Sequence, residues 1–179
     1  MSDMVLTRQG LRFRGRMWPC TIGRGGVRAD KREGDGATPV GSHRIVGLLY
    51  RPDRMARPAP WALPIRPGDL WSDDAKDAGY NQLVRVPYAP SHENLRRADP
   101  LYDLILLTDW NWPNAEPGRG SAIFLHRWRR PGFPTEGCVG FRPDHLQQIV
   151  RKAAPGTRLI VSPNLRNSAR NEPPKTKYP

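Results

Sequence analysis

The chain has 179 residues, 29 Lys+Arg against 17 Asp+Glu for a formal net charge of +12, and two cysteines. This length sets one domain with a substantial core as the expectation. Two thiols cannot build a disulfide framework, and no apolar run nears the length of a transmembrane helix.

In chain order, residues 5–9 and 11–22, separated at Gln9-Gly10, predict an opening hairpin. Residues 1–16 lack the apolar stretch of a signal peptide. Residues 23–41 are Gly-rich and polar and predict a loop, and 44–50 predict a strand. The proline-dense stretch 51–67 predicts an irregular excursion. Residues 71–79 predict an acidic loop, 83–86 a short strand, and 91–99 a single helical turn. The apolar run 104–110 predicts a central strand. A Pro/Gly/Asn loop, 111–120, leads to strands at 122–128 and 138–141. Arg142-Pro143-Asp144 opens the one convincing helix, with Leu146, Ile149 and Val150 at helical spacing and Pro155-Gly156 at its end. Residues 158–161 predict a last strand, and 164–179 a basic, Pro-rich, mobile tail. The fold class expected is mostly β with α/β elements and one main helix.

The densest chemistry lies between Ser121 and Gly140. His126 ends an apolar run, and Cys138 follows in the turn Thr135-Glu136-Gly137-Cys138-Val139-Gly140. A nucleophilic thiol needs an ionisable sulfur with an imidazole in reach. Gly137 lets the backbone turn tightly, and the Gly137 and Cys138 amides could serve an oxyanion. The same spacing also suits a buried thiol beside an unrelated histidine. Cys20 reads as a packed thiol. His43, His92 and His145 have no partners at metal-ligand spacing, so no metal and no cofactor are expected.

A second stretch joins this one. Lys31-Arg32-Glu33-Gly34-Asp35-Gly36-Ala37-Thr38-Pro39-Val40-Gly41 is ordinary turn material on its own and lacks the ending of a phosphate-binding loop. Taken with the His126/Cys138 segment, Gly79-Tyr80-Asn81-Gln82-Leu83-Val84 and Leu101-Tyr102-Asp103-Leu104, it resembles the YkuD-type L,D-transpeptidase catalytic domain, over about residues 5–163. The resemblance implies a YkuD-like β-sandwich across residues 1–163, with Cys138 as nucleophile and His126 as its base, drawing the thiol pKa down. It implies stem-peptide crosslinking through a thioester, and hence a periplasmic location. Thr135, Arg142, Trp112 and Tyr102 are the candidate substrate-binding residues, Gly137 the oxyanion position, and Asp35 a loop organiser.

Two departures stand out. Many members carry Ser-His before Gly-Cys where this chain has Thr135-Glu136, and an Arg where it has Gly140. Arg142, Arg127, Arg129 or Arg130 would have to hold substrate carboxylates instead. Hydrolysis by the same residues, a silent wall-binding module and a basic polyanion binder are the rival readings. The charge suits an anionic envelope surface, and no specific nucleic-acid motif is present.

Overall fold

The computed structural model describes residues 2–165. Its strands are β1 (Met4–Thr7), β2 (Gly10–Phe13), β3 (Arg16–Trp18), β4 (Cys20–Thr21), β5 (Val27–Arg28), β6 (Thr38–Pro39), β7 (Gly41–Tyr50), β8 (Leu63–Pro64), β9 (Asp69–Ser72), β10 (Leu83–Arg85), β11 (His92–Asn94), β12 (Leu104–Thr108), β13 (Phe124–Arg127), β14 (Val139–Phe141) and β15 (Arg158–Val161). One α-helix, α1 (Pro143–Lys152), lies between the last two.

β7 organises the molecule. Its first half pairs with β15 and its second half with β12, so one long strand belongs to both halves of the sheet. The hydrogen-bonded order is β3-β2-β1-β15-β7-β12-β13-β14-β4, with β8 added on β7. The two ends of that order, β3 and β4, are joined in the chain through Pro19 alone. The sheet therefore curls back on itself and encloses a core, which makes the fold mostly β and sandwich-like with one helix.

Burial explains the pattern. Along β12 and β13, Leu104, Leu106 and Leu125 pack into a core shared with Phe13, Trp18, Phe141 and the apolar stripe of α1, Leu146, Ile149 and Val150. The alternate residues Ile105 and Phe124 point to the opposite face and join Trp71, Leu95, Tyr102 and Cys138. Side chains of successive strand residues take opposite faces, so the sheet is apolar on both sides. A small sheet, β10-β9-β11, covers part of the second face.

Three expectations need correction. Residues 91–99 contain strand β11, because β9 offers a free edge and His92, Glu93 and Asn94 pair with Ser72, Trp71 and Leu70. Tertiary pairing outweighs the weak local preference. The acidic stretch from 71 begins as the end of β9. The Gly-rich stretch 23–41 is not all loop, since β5 and β6 form a short parallel ladder within it. The expected helix opens at Pro143, as the first-turn proline favours. Most of the proposed tail, residues 166–179, lies outside the described residues.

Candidate active site

β13 and β14 run parallel, with Leu125 opposite Val139 and His126 opposite Gly140. Phe124 and His126 therefore share a face, and Cys138, one residue before β14, stands beside Phe124 on it. The Phe124 amide donates to Cys138 Sγ at 3.4 Å, and Sγ donates to the Ala122 carbonyl at 3.0 Å. The thiol is thus cradled by the backbone that leads into β13.

The cysteine turn is clamped from below. Thr135 N donates to Ile22 O at 3.0 Å, and Arg24 N donates to Thr135 O at 2.8 Å. Thr38 Oγ1 donates to Gly137 O at 2.8 Å, which ties the Lys31–Gly41 segment to the turn. Gly137 has φ +140, and a Cβ there would lie 2.9 Å from the Ala37 carbonyl oxygen. Only glycine fits so tight a stack of backbone. Thr135 Oγ1 donates to Cys138 O at 2.6 Å and accepts from Gly137 N at 3.2 Å. The Gly137 amide, expected to face an oxyanion, is spent on this hydroxyl instead.

Cys138 and His126 line the same cavity, about 420 Å³ in volume, together with Thr135, Tyr102, Lys31, Glu33, Asp73, Glu93, Arg97 and Arg129. Cys138 is 8% exposed and His126 7%. Burial pushes the Cys138 thiol up to about 12, with Glu93 adding to the rise and the Phe124 amide and Lys31 opposing it. Burial holds the His126 imidazole down to about 4. The pair is therefore neutral, and the expected imidazolium that would draw the thiol down is absent. His126 Nδ1 lies 2.6 Å from the Arg127 carbonyl oxygen. A carbonyl only accepts, so the proton sits on Nδ1 and Nε2 keeps a lone pair. Tyr102 packs edge-on against His126, with ring centroids 5.2 Å apart, and donates its hydroxyl to Glu93. Burial raises the Glu93 carboxyl, and burial together with Glu93 raises the Tyr102 phenol well above its ordinary value.

The cations are arranged differently from the sequence expectation. Arg142 does not reach the cavity. It lies at the start of α1, exposed, with its guanidinium spanning Asp144 at 2.6 Å. Trp112 is also elsewhere, 37% exposed, its indole N–H on Gln82 Oε1 at 3.0 Å in a separate open cleft beside Trp110 and His43. Among the four arginines considered, Arg129 alone is in the cavity wall, stacked over Phe133 at 5.5 Å. An arginine at Gly140 is excluded here, because a Cβ would lie 2.7 Å from Thr21 Oγ1 and 3.1 Å from Trp128 Cβ.

Asp35 is a loop organiser. It accepts from Lys31 Nζ at 2.6 Å, Arg32 N at 2.8 Å and Ala37 N at 2.8 Å. Burial pushes its carboxyl up, but these donors outweigh it and hold the pKa below the ordinary carboxylate value. Lys31, Glu33, Asp73, Glu93 and Arg97 were not singled out as site residues. Lys31 and Glu33 belong to the Gly-rich motif, which offered a signal. Glu93 and Asp73 lie in strand-edge segments with no motif, and only the folded β9–β11 pairing brings them to the cavity.

A family profile for the L,D-transpeptidase catalytic domain (YkuD) matches residues 3–161. The chain belongs to this family. No curated protein matches it. The family is one of peptidoglycan-modifying, cysteine-dependent enzymes that act on stem peptides. Among the described residues, no helix is long and apolar enough to cross a membrane.

Proposed function

We propose that this chain is a periplasmic L,D-transpeptidase that crosslinks peptidoglycan stems through a thioester on Cys138. The observation that carries the reading is the joint placement of Cys138 and His126 in one cavity, with His126 Nδ1 held by the Arg127 carbonyl and the Nε2 lone pair left free.

In the first half-reaction the thiol proton passes to His126 Nε2 as Sγ attacks a stem carbonyl at an L-centre. The C–S bond forms and the scissile C–N bond breaks, with His126 returning the proton to the departing amine. A neutral pair suits this order, since proton transfer accompanies attack rather than preceding it. With the Gly137 amide engaged, the Cys138 amide is assigned the developing oxyanion. In the second half-reaction the side-chain amine of an acceptor diaminopimelate attacks the thioester. It gives its proton to His126, the C–S bond breaks, and Sγ takes the proton back. The product is a diaminopimelate–diaminopimelate bond, or an L-Ala–diaminopimelate bond where the donor is cut nearer its start. Residues 1–163 are the catalytic domain, and the basic residues 164–179 hold the enzyme on the anionic envelope.

Mass spectrometry of muropeptides incubated with the enzyme tests the reading. A crosslinked dimer that disappears in Cys138→Ala supports it. Shortened stems without dimers, even with acceptor in excess, would replace it by hydrolysis.

A further inference from the structure

Just before β13 the backbone takes an unusual path. Ala122 has φ +51, a left-handed conformation that costs a non-glycine residue about 1–2 kcal/mol. The turn aims the Ala122 carbonyl at Cys138 Sγ, 3.0 Å away. Something must hold that conformation, and the holder is Asn81. Its Oδ1 accepts from Ala122 N at 3.0 Å and from Trp71 Nε1 at 2.9 Å. Its Nδ2 donates to Trp110 O at 3.1 Å and Asn111 O at 2.7 Å. Asn81 is 2% exposed, and both faces of its amide are fully used. The neighbouring Tyr80 hydroxyl accepts from Gly120 N at 2.9 Å and donates to Glu33 at 2.5 Å, so the same dipeptide grips the chain two residues earlier.

We propose that Asn81 is a positioning residue for the nucleophile: through Ala122 it points a carbonyl at the Cys138 thiol and thereby sets where the sulfur sits and how readily it loses its proton. The inference rests on the reading of Cys138 as nucleophile. Physically, a carbonyl oxygen facing Sγ accepts the S–H proton and repels a thiolate, so it stabilises the protonated form. The other groups that face Cys138 are Glu93 from β11, Tyr102 from the turn before β12, Lys31 from the Gly-rich loop and His126 from β13. None of them is among the hydrogen-bond partners of Asn81. Asn81 itself has φ +56, so Asn81→Gly removes the side chain without straining the backbone.

The experiment is iodoacetamide alkylation of the intact protein against pH, read separately at Cys138 and Cys20 by peptide mass spectrometry. Cys20 is an internal gauge of unfolding, because it is a partly buried thiol packed against the core in another part of the sheet. In Asn81→Gly the Cys138 midpoint should fall by one unit or more, about ten-fold more thiolate at a fixed pH, while Cys20 stays as in the parent. Acylation by donor peptide should fall at the same time, because the sulfur is no longer aimed. Asn81→Asp keeps the oxygen that holds Ala122 N and should recover part of that acylation. An unchanged Cys138 midpoint in Asn81→Gly overturns the proposal. So does a parallel rise at Cys138 and Cys20, which would make Asn81 a fold-stabilising residue only. Because alkylation needs no stem substrate, a failure here is separable from failure of the transpeptidase reading, which Cys138→Ala decides.

Discussion

The two cysteines sit on the two sides of one sheet, and both look alike by the measure most often used to find a reactive thiol. Cys20 pairs with Phe141 across β4 and β14 and packs against the core that contains α1. Cys138 belongs to the opposite cluster, with Phe124 and Tyr102. Burial pushes each to about 12. The shift therefore identifies neither as a nucleophile. The difference lies in what surrounds the sulfur. Cys138 lines a cavity with an imidazole, four carboxylates and several cations, and it has a backbone donor and acceptor on its sulfur. Cys20 has a core. A reactive site in this fold is a place where packing was withheld beside a thiol, whereas Cys20 packs against the opposite core.

The sharpest test of that contrast is the pair of thiol variants. Cys138→Ala should abolish crosslinking, a loss above about 10³-fold, since no other group can carry the thioester. Cys20→Ser should keep most turnover per folded molecule, with a modest loss of stability from a hydroxyl in a semi-buried place. Steady-state assays on muropeptides, with folded fraction measured by circular dichroism, separate the two. Equal losses would dissolve the distinction.

His126→Gln should follow, with turnover down by about 10²–10⁴-fold as general acid–base help is lost. Its pKa gives a second signature. The folded value, about 4, lies below the ordinary 6.5 of a free imidazole. Above 6.5 neither state is protonated and His126 does not make stability depend on pH. Between 6.5 and 4 the unfolded chain binds a proton that the folded chain does not, so stability falls as pH falls, by up to about 3 kcal/mol in all. Denaturant midpoints from pH 7 to 4 should therefore drop less steeply in His126→Gln than in the parent. A parallel pair of curves would mean that His126 is not the buried, neutral group described.

How far these features could be read beforehand divides along the same line. The strands of the sheet's centre follow from apolar runs, and α1 from Pro143 and the spacing of Leu146, Ile149 and Val150. Those are local signals. His126 and Cys138 were visible as a pair because they lie only twelve residues apart, one near the end of β13 and the other just before β14. The cavity's acidic wall was not visible, because Glu93 reaches it through β11, whose polar residues carry no strand pattern and are recruited by the edge of β9. Trp112 and Arg142 were misplaced for the opposite reason. Both flank the site in sequence, but each is drawn off by a partner of its own, Gln82 for one and Asp144 for the other. The neutral state of the pair depends on burial, which is a property of the whole fold.

The filled face predicts a different kind of damage. Ile149→Ala opens a cavity under α1, where Ile149 is fully buried among Leu146, Val150 and the strands beneath. It should cost about 2–5 kcal/mol. Turnover per folded molecule at low temperature should stay within about two-fold of the parent, because the sheet lies between that core and Cys138. Urea denaturation with parallel turnover measurement reads both. A specific loss of turnover in a molecule still folded would mean that the two faces are mechanically coupled through β13.

The smallest effects should come from the arginines, and they decide which cation replaces the one that Gly140 cannot carry. Arg129 is exposed on the cavity wall, with its guanidinium over Phe133 and no ion pair among the described residues. A substrate carboxylate would meet it without first breaking a bond. Arg142 is outside the cavity and already satisfied by Asp144, whose carboxyl it holds down to about 2. An exposed charge contact is worth about 1 kcal/mol at most, which corresponds to about five-fold in binding. Arg129→Ala should therefore raise KM for a donor with free carboxylates by up to about five-fold and leave kcat nearly unchanged. The effect should shrink in high salt, as screening predicts. Arg142→Ala should change neither constant by more than about two-fold. A KM effect at Arg142 with none at Arg129 would move the carboxylate-holding wall from the β13–β14 loop to the start of α1, and the substrate would then have to extend past β14 to reach it.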